Sequence, residues 1–120
     1  MAGQTHGGPQ EPFHRINVDR AKEIFDMGNA AVIDVRNPDE WVAGHVAGAI
    51  HIPVDEVLTR VDELPRDKDL LFICAVGVRS ALACEMAASL GLPQERLYNI
   101  EDGTPAWIDR GFPTSYGNDP

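Results

Sequence analysis

The sequence predicts an α/β domain in which a parallel sheet is covered by helices on both faces. Three observations carry that prediction. Four short apolar runs, at residues 30–33, 49–52, 70–73 and 97–100, mostly lack period-two alternation, as strands buried on both faces do. Helical patterns alternate with these runs over short links, the arrangement that builds parallel sheets. With 120 residues, 43% apolar and 24% charged, the chain makes one domain able to bury a core without disulfides or metals.

In order along the chain, a brief strand at residues 15–17 precedes a helix capped by Asn17. Its apolar face is Ala21, Ile24 and Phe25, and it ends near Gly28. After the first apolar run, Asn37-Pro38-Asp39-Glu40 has the form of a helix start. Asn37 is the cap, Pro38 the first helical residue, and Glu40 reaches back toward the cap. Val54, Val57, Leu58, Val61 and Leu64 fall at i, i+3, i+4, i+7 and i+10, which predicts an amphipathic helix stopped by Pro65. Leu82, Met86 and Leu90 stripe a further helix, from about residue 80 to 90, closed by Gly91. Residues 1–14 read as a disordered tail, polar and Gly/Pro-rich, without the basic and apolar regions of a signal peptide. The folded domain is expected over 15–113, with 114–120 a flexible C-terminal tail.

Composition narrows the function classes. A net charge of −9 argues against nucleic acid and anionic membrane surfaces as partners. No apolar stretch approaches the roughly 18 residues of a membrane span. Two cysteines, Cys74 and Cys84, are too few for a disulfide framework and match no zinc spacing, so a reduced, cytoplasmic chain is the expectation. His6 and His14 have no companion ligands at metal spacing, and no metal site is expected.

The chemistry concentrates in Cys74-Ala75-Val76-Gly77-Val78-Arg79-Ser80. A strand ends on a cysteine, a tight loop follows, and a helix begins. That places a thiol at the mouth of a ring of backbone N–H groups backed by a helix N-terminus, which binds anions and stabilises a thiolate. A free thiol titrates near pH 8.5, and such surroundings lower that to roughly 3.5–7.5. Arg79 is read as the neighbouring charge, Gly77 as the residue that lets the backbone curl, and Ser80 as the helix N-cap. In open α/β sheets ligands bind beyond the carboxyl ends of the strands, where Cys74 lies.

This loop resembles the active-site loop of the rhodanese superfamily, and the resemblance extends from Arg15 to Pro113. A first signature reads Val32-Ile33-Asp34-Val35-Arg36, followed by Asp39-Glu40-Trp41. A second reads Gly44-His45-Val46-Ala47-Gly48-Ala49, leading to Ile52-Pro53. The nucleophile loop comes next, and the closing element is Asp102-Gly103-Thr104-Pro105-Ala106-Trp107 with Gly111-Phe112-Pro113. The resemblance implies a parallel sheet of about five strands. It also implies that Cys74 takes a sulfane sulfur from thiosulfate or a persulfide donor and passes it to a thiol or cyanide. The ring of loop amides of Ala75, Val76, Gly77, Val78 and Arg79 would hold the carried sulfur, with the Arg79 side chain completing the anion cradle. The implied chemistry is covalent and two-step, with no metal or organic cofactor. Relatives of this fold that act on phosphate or arsenate carry one more residue between Cys and Arg; here there are four. A second function class is a regulatory rhodanese-like binding module without turnover.

The chain departs from the family pattern in two places. Ala75, Val76 and Val78 are apolar where polar or basic residues are common, so modest thiosulfate activity is expected, with a protein persulfide or low-molecular-weight thiol as partner. Asp102 stands where the family has glycine, a position that calls for tolerance of positive φ. Among the remaining residues, Arg36 and Glu40 are expected to pair with each other, Asp34 to cap the turn after its strand, and His45 to be structural. Cys84 is expected to be buried within its helix, with a resolving thiol as the alternative. Trp41 and Trp107 read as packing residues.

Overall fold

The computed structural model describes residues 11–120. Five strands form one parallel sheet: β1 (His14–Ile16), β2 (Ala30–Asp34), β4 (Ile50–His51), β5 (Asp69–Ile73) and β6 (Leu97–Ile100), in the order β1-β6-β5-β2-β4. β5 lies at the centre, paired with β2 in the register Asp34↔Ile73 and with β6 in the register Ile73↔Ile100. Each strand of this central pair sends alternate side chains into two separate cores. Leu70 and Phe72 of β5 and Ile33 of β2 meet Ala83, Cys84 and Ala87 on one face. Leu71, Ile73 and Val32 meet Val18, Ile24, Trp41 and Trp107 on the other. Both faces are apolar, which is why the strands read as continuous apolar runs.

Helix α1 (Val18–Asp26) begins where the Asn17 side chain accepts the Arg20 N–H at 2.9 Å. Helix α2 (Pro38–Ala43) has Pro38 in its first turn, and the Glu40 carboxylate accepts the Asn37 N–H at 3.0 Å, the reach-back expected from the sequence. Helix α3 (Val78–Ser89) follows β5 and helix α4 (Gly103–Asp109) follows β6.

The structure corrects four expectations about the elements and the ends of the domain. The amphipathic segment at 54–64 is not one helix but two short 3₁₀ turns, Val54–Glu56 and Val61–Glu63. Three β-branched valines lower its helix propensity. Meanwhile Ile52 N–H and Val54 N–H still donate to Asp34 O and Val35 O, so the chain leaves the sheet late. Val57 and Leu64 nevertheless reach the core. In α3 the buried face is Ser80, Ala83, Cys84 and Ala87, while Leu82 and Leu90 of the expected stripe are exposed. Small residues let this helix approach the sheet closely, and the larger ones turn outward.

The other two corrections concern the ends of the domain. The N-terminal tail was expected through residue 14; Phe13 is buried in the core and His14 opens β1, while residues 1–10 lie outside the described region. Residues 114–120 are tied down rather than loose. Thr114–Ser115 form β7, antiparallel to β3 (His45–Val46), and the Asp119 carbonyl oxygen lies 2.6 Å from His45 Nε2. No helix among the described residues is long and apolar enough to cross a membrane.

Candidate active site

Cys74 follows the last residue of the central strand, at the carboxyl end of the sheet. Its carbonyl oxygen accepts the Thr104 N–H at 2.9 Å and the Thr104 hydroxyl at 3.3 Å, which pins the strand end to α4. Two glycines make the turn possible. Gly77 has φ +87° and a Cβ there would lie 2.6 Å from Glu101 O; Gly103 has φ +69° and a Cβ there would lie 2.1 Å from Ala75 O. Only glycine combines that backbone conformation with so close an approach.

Around the sulfur, the N–H groups of Gly77 and Ser80 donate to Sγ at 3.2 and 3.4 Å, and Ser80 Oγ lies 3.3 Å away. Ser80 Oγ donates to Asn99 Oδ1 at 2.5 Å, and Asn99 Nδ2 donates to Gly77 O at 3.1 Å. A hydroxyl has one proton. While Ser80 gives it to Asn99, a protonated Cys74 donates to Ser80 Oγ; once Cys74 ionises, the charge-assisted bond to sulfur is the stronger claim on that proton. Burial pushes the Cys74 thiol up, but the Ser80 hydroxyl and the backbone of Ser80, Val76 and Gly77 outweigh it, and the net direction is down. Burial pushes the Cys84 thiol well up, within the core. That favours a packing residue over a resolving thiol.

Ser80 is therefore not the N-cap expected from the sequence. The cap lies three residues earlier, at Gly77, and the Ser80 hydroxyl belongs to the thiol network. Val78 and Arg79 lie in the first helical turn rather than in the loop, and the first N–H groups of a helix have no intrahelical partner. Val76 and Val78 are 72% and 71% exposed, an apolar rim at the loop.

The expected Arg36–Glu40 pair does not form. Arg36, almost fully buried, binds the carboxylate of Asp34 through Nε and Nη2, the latter at 2.7 Å, and donates to Gly44 O at 2.8 Å. Asp34 Oδ1 also accepts the Arg36 N–H at 3.0 Å, so it caps its turn while binding the cation. Glu40 instead binds Arg79, Nη1 to Oε1 at 2.7 Å and Nη2 to Oε2 at 2.9 Å. Arg79 holds the Glu40 carboxyl down to about 2. Arg79 is thus a neutralised cation bracing α2 against α3, not a free charge beside the sulfur.

His45 is buried on β3. Its Nδ1 lies 2.8 Å from Trp41 O and its ring stacks on Trp41 with centroids 3.4 Å apart. Trp107 is buried and donates to Pro113 O at 2.8 Å. Asp102 has φ −91°, so no positive φ is required of it, and its Oδ1 accepts the Val18 N–H at 2.9 Å. Asn99 and Thr104 are the site residues that sequence reasoning missed. The signal for Asn99 was a polar residue inside the apolar run 97–100, which must find partners when buried. An open cavity of about 590 Å³ adjoins the loop, with Arg36, Glu40, Ala75, Thr104 and Ile108 among its walls. No group of three metal-ligating side chains occurs among the described residues.

Residues 17–110 match the family model of the rhodanese-like domain. A sulfurtransferase of Allochromatium vinosum is 29% identical over 93 residues, covering 78% of this chain and 85% of that protein. An HTH-type transcriptional regulator of Mycobacterium tuberculosis is 32% identical over 98% of this chain, which spans 53% of the regulator's length. Among solved structures, a rhodanese-related protein from Thermoplasma volcanium superposes with TM-score 0.75 at 35% identity, covering 86% of this chain and 98% of that one. A human single-domain sulfurtransferase superposes with TM-score 0.67 at 26% identity, covering 82% and 96%. With the five-stranded parallel sheet and the family match over most of its length, the chain belongs to the rhodanese-like family.

Proposed function

We propose that the protein is a sulfurtransferase that carries sulfur as a persulfide on Cys74. The observation that carries this reading is the Cys74 sulfur held by Gly77 N–H, Ser80 N–H and the Ser80 hydroxyl at the start of α3. In the first step the Cys74 thiolate attacks the sulfane sulfur of a donor. A new S–S bond forms, the donor's S–S bond breaks, and the donor remnant (sulfite when the donor is thiosulfate) leaves with the electron pair. In the second, an acceptor thiolate attacks the outer sulfur, becomes a persulfide and releases Cys74 as thiolate; cyanide would leave as thiocyanate. Neither step consumes an oxidant or a reductant, and no cofactor takes part.

The apolar rim of Val76 and Val78 and the neutralisation of Arg79 by Glu40 offer little attraction to dianionic thiosulfate. They favour a protein persulfide or a small thiol as the physiological partner, approaching across the cavity beside Ala75. Four residues separate Cys74 from Arg79, which favours sulfur over a phosphate substrate. A second reading, a regulatory module that senses through Cys74 without turnover, rests on the match to part of a transcriptional regulator.

The test is intact mass after incubating the reduced protein with thiosulfate and, separately, with a persulfide donor. One added sulfur, removed by cyanide or dithiothreitol and absent in Cys74→Ala, is the expected result. An adduct on Cys74→Ala would overturn the nucleophile. No adduct from any sulfane donor would favour the regulatory module, and Cys74-dependent hydrolysis of an aryl phosphate would favour a phosphatase.

A further inference from the structure

The ten lysines and arginines are divided sharply by their partners. Arg15, Arg20, Lys22, Arg36, Arg60, Arg79 and Arg110 each form an ion pair with a carboxylate. Among the described residues, only Arg66, Lys68 and Arg96 form none, and all three line the same cavity, of about 230 Å³. Its apolar walls include Leu70, Leu92 and Leu97, and no carboxylate lines it. In an acidic protein, three unpaired cations around one apolar hollow are not what a randomly solvated surface provides.

The position separates this cavity from the active site. Leu70 and Leu97 are register partners near the amino ends of β5 and β6, whereas Cys74 follows the carboxyl end of β5. At about 3.3 Å per residue, Leu70 and Cys74 are about 13 Å apart along the strand. The cavity is also preformed. Arg96 Nη1 donates to Arg66 O at 3.2 Å, tying the segment before β5 to the one before β6. Arg96 and Lys68 are half-buried, so their charges are partly withdrawn from water. Asp67, Asp69 and Glu95 neighbour the cations in sequence, yet none comes within ion-pair distance of them.

We propose that this cavity is a second binding site, for a small organic anion that joins a carboxylate or phosphate to a short apolar body. Guanidinium groups present a planar fork that matches such oxyanions, and the leucines take the apolar part. At about 30 Å³ per water, the cavity holds about eight waters, a size that suits a phenyl or short alkyl group as the apolar body. The net charge of −9 opposes anions at long range, but at physiological salt that field is screened beyond about 8 Å, and the local cations govern. A bound anion also relieves the mutual repulsion of three like charges around one hollow.

The experiment is a ¹⁵N NMR titration of the full chain with phenyl phosphate and with hexanoate, using inorganic phosphate and benzyl alcohol as the separate halves of the ligand. The expected result is saturable shifts at the amides of Arg66, Lys68, Leu92 and Leu97, with either half alone at least tenfold weaker. Lys68→Gln with Arg96→Gln should weaken binding at least tenfold. Arg66→Gln, at an exposed position, gives the same direction of change should the double variant fold poorly. Shifts confined to Ala75–Ser80, equal affinity for inorganic phosphate and phenyl phosphate, undiminished binding by the variants, or no saturable shift would each overturn the proposal. The readout does not involve sulfur transfer, so its failure and that of the Cys74 reading are distinguishable.

Discussion

Glu40 grips the guanidinium of Arg79 with both carboxylate oxygens, at 2.7 and 2.9 Å, and so joins the helix after β2 to the helix that follows the Cys74 loop. The pair settles the electrostatics of the site, because a cation shared with a carboxylate has little charge to offer an arriving anion.

Neutralising Glu40 should therefore improve thiosulfate use. With Glu40→Gln, the KM for thiosulfate should fall roughly three- to tenfold, the gain expected from freeing about one kcal/mol of local attraction. Steady-state assays check this, and an unchanged or higher KM would show that Arg79 does not reach the donor.

The same pair gives an acid dependence with a defined sign. The Glu40 carboxyl sits at about 2 in the folded protein, below the ordinary carboxyl value of 4.5. A depressed carboxyl stabilises the fold fully above the unfolded value and loses that contribution as pH falls through the folded one. Urea unfolding should show Glu40→Gln less stable than the native protein by about 1 kcal/mol at pH 6. The difference should shrink below pH 4.5 and vanish near pH 2.

Ser80 is the side-chain donor available to the Cys74 thiolate. In Ser80→Ala the pH profile of Cys74 alkylation should move upward. Hydrogen bonds to charged groups contribute about 1.5–3 kcal/mol; the contact is long at 3.3 Å and the N–H donors of Gly77 and residue 80 remain, so the rate at neutral pH should fall roughly three- to tenfold. Iodoacetamide kinetics across pH 5–10, with circular dichroism on the same samples, separate this shift from a loss of folded protein, which would return the profile of an ordinary thiol.

A methyl group at Gly103 would lie 2.1 Å from the carbonyl oxygen of Ala75, with φ at +69°. Gly103→Ala should cost at least about 2 kcal/mol of stability and disturb the Cys74 loop together with the fold. Thermal unfolding and the alkylation rate of Cys74 should both change, whereas Gly111→Ala, with open space around the added carbon, should leave the loop's reactivity intact.

Cys84 lies in the core with its thiol pushed well up by burial. Cys84→Ser should lower Tm, since a buried hydroxyl without a partner costs about 1–3 kcal/mol. The number of sulfur atoms loaded per chain should not change, and a loss of turnover at unchanged stability would assign Cys84 a chemical role.

The strands and the placement of Cys74 at a strand end, before a tight loop and a helix, were legible in the sequence because both depend on local signals. The runs at 30–33, 70–73 and 97–100 are apolar on both faces, and Cys74 stands at the end of one, before a glycine and a helix. The electrostatics were not legible. Arg36 and Glu40 have the spacing of a helical pair, yet each bonds elsewhere, Arg36 to Asp34 and Glu40 to Arg79, 39 residues away. Such choices depend on which helices the sheet brings together. Ser80 shows the same limit, since its capping propensity is local but its hydroxyl is claimed by Cys74 and by Asn99 from another strand. The segment 54–64 failed because apolar spacing alone does not distinguish a helix from successive tight turns that bury the same side chains.

The placement of Cys74 after the central strand also bears on the order in which the molecule becomes reactive. β5 pairs on one side with β2, earlier in the chain, and on the other with β6, formed from later residues, and Thr104 closes the strand end from beyond both. The donors that lower the thiol's affinity for its proton, at Val76, Gly77 and Ser80, lie within six residues of it, but β6 and α4 hold them in place: Asn99 binds Gly77 O and the Ser80 hydroxyl, and Thr104 binds Cys74 O. Parallel pairings between distant segments close late in folding. An activated thiolate is therefore a property of the finished domain, and a chain still emerging from the ribosome or partly unfolded carries only an ordinary thiol.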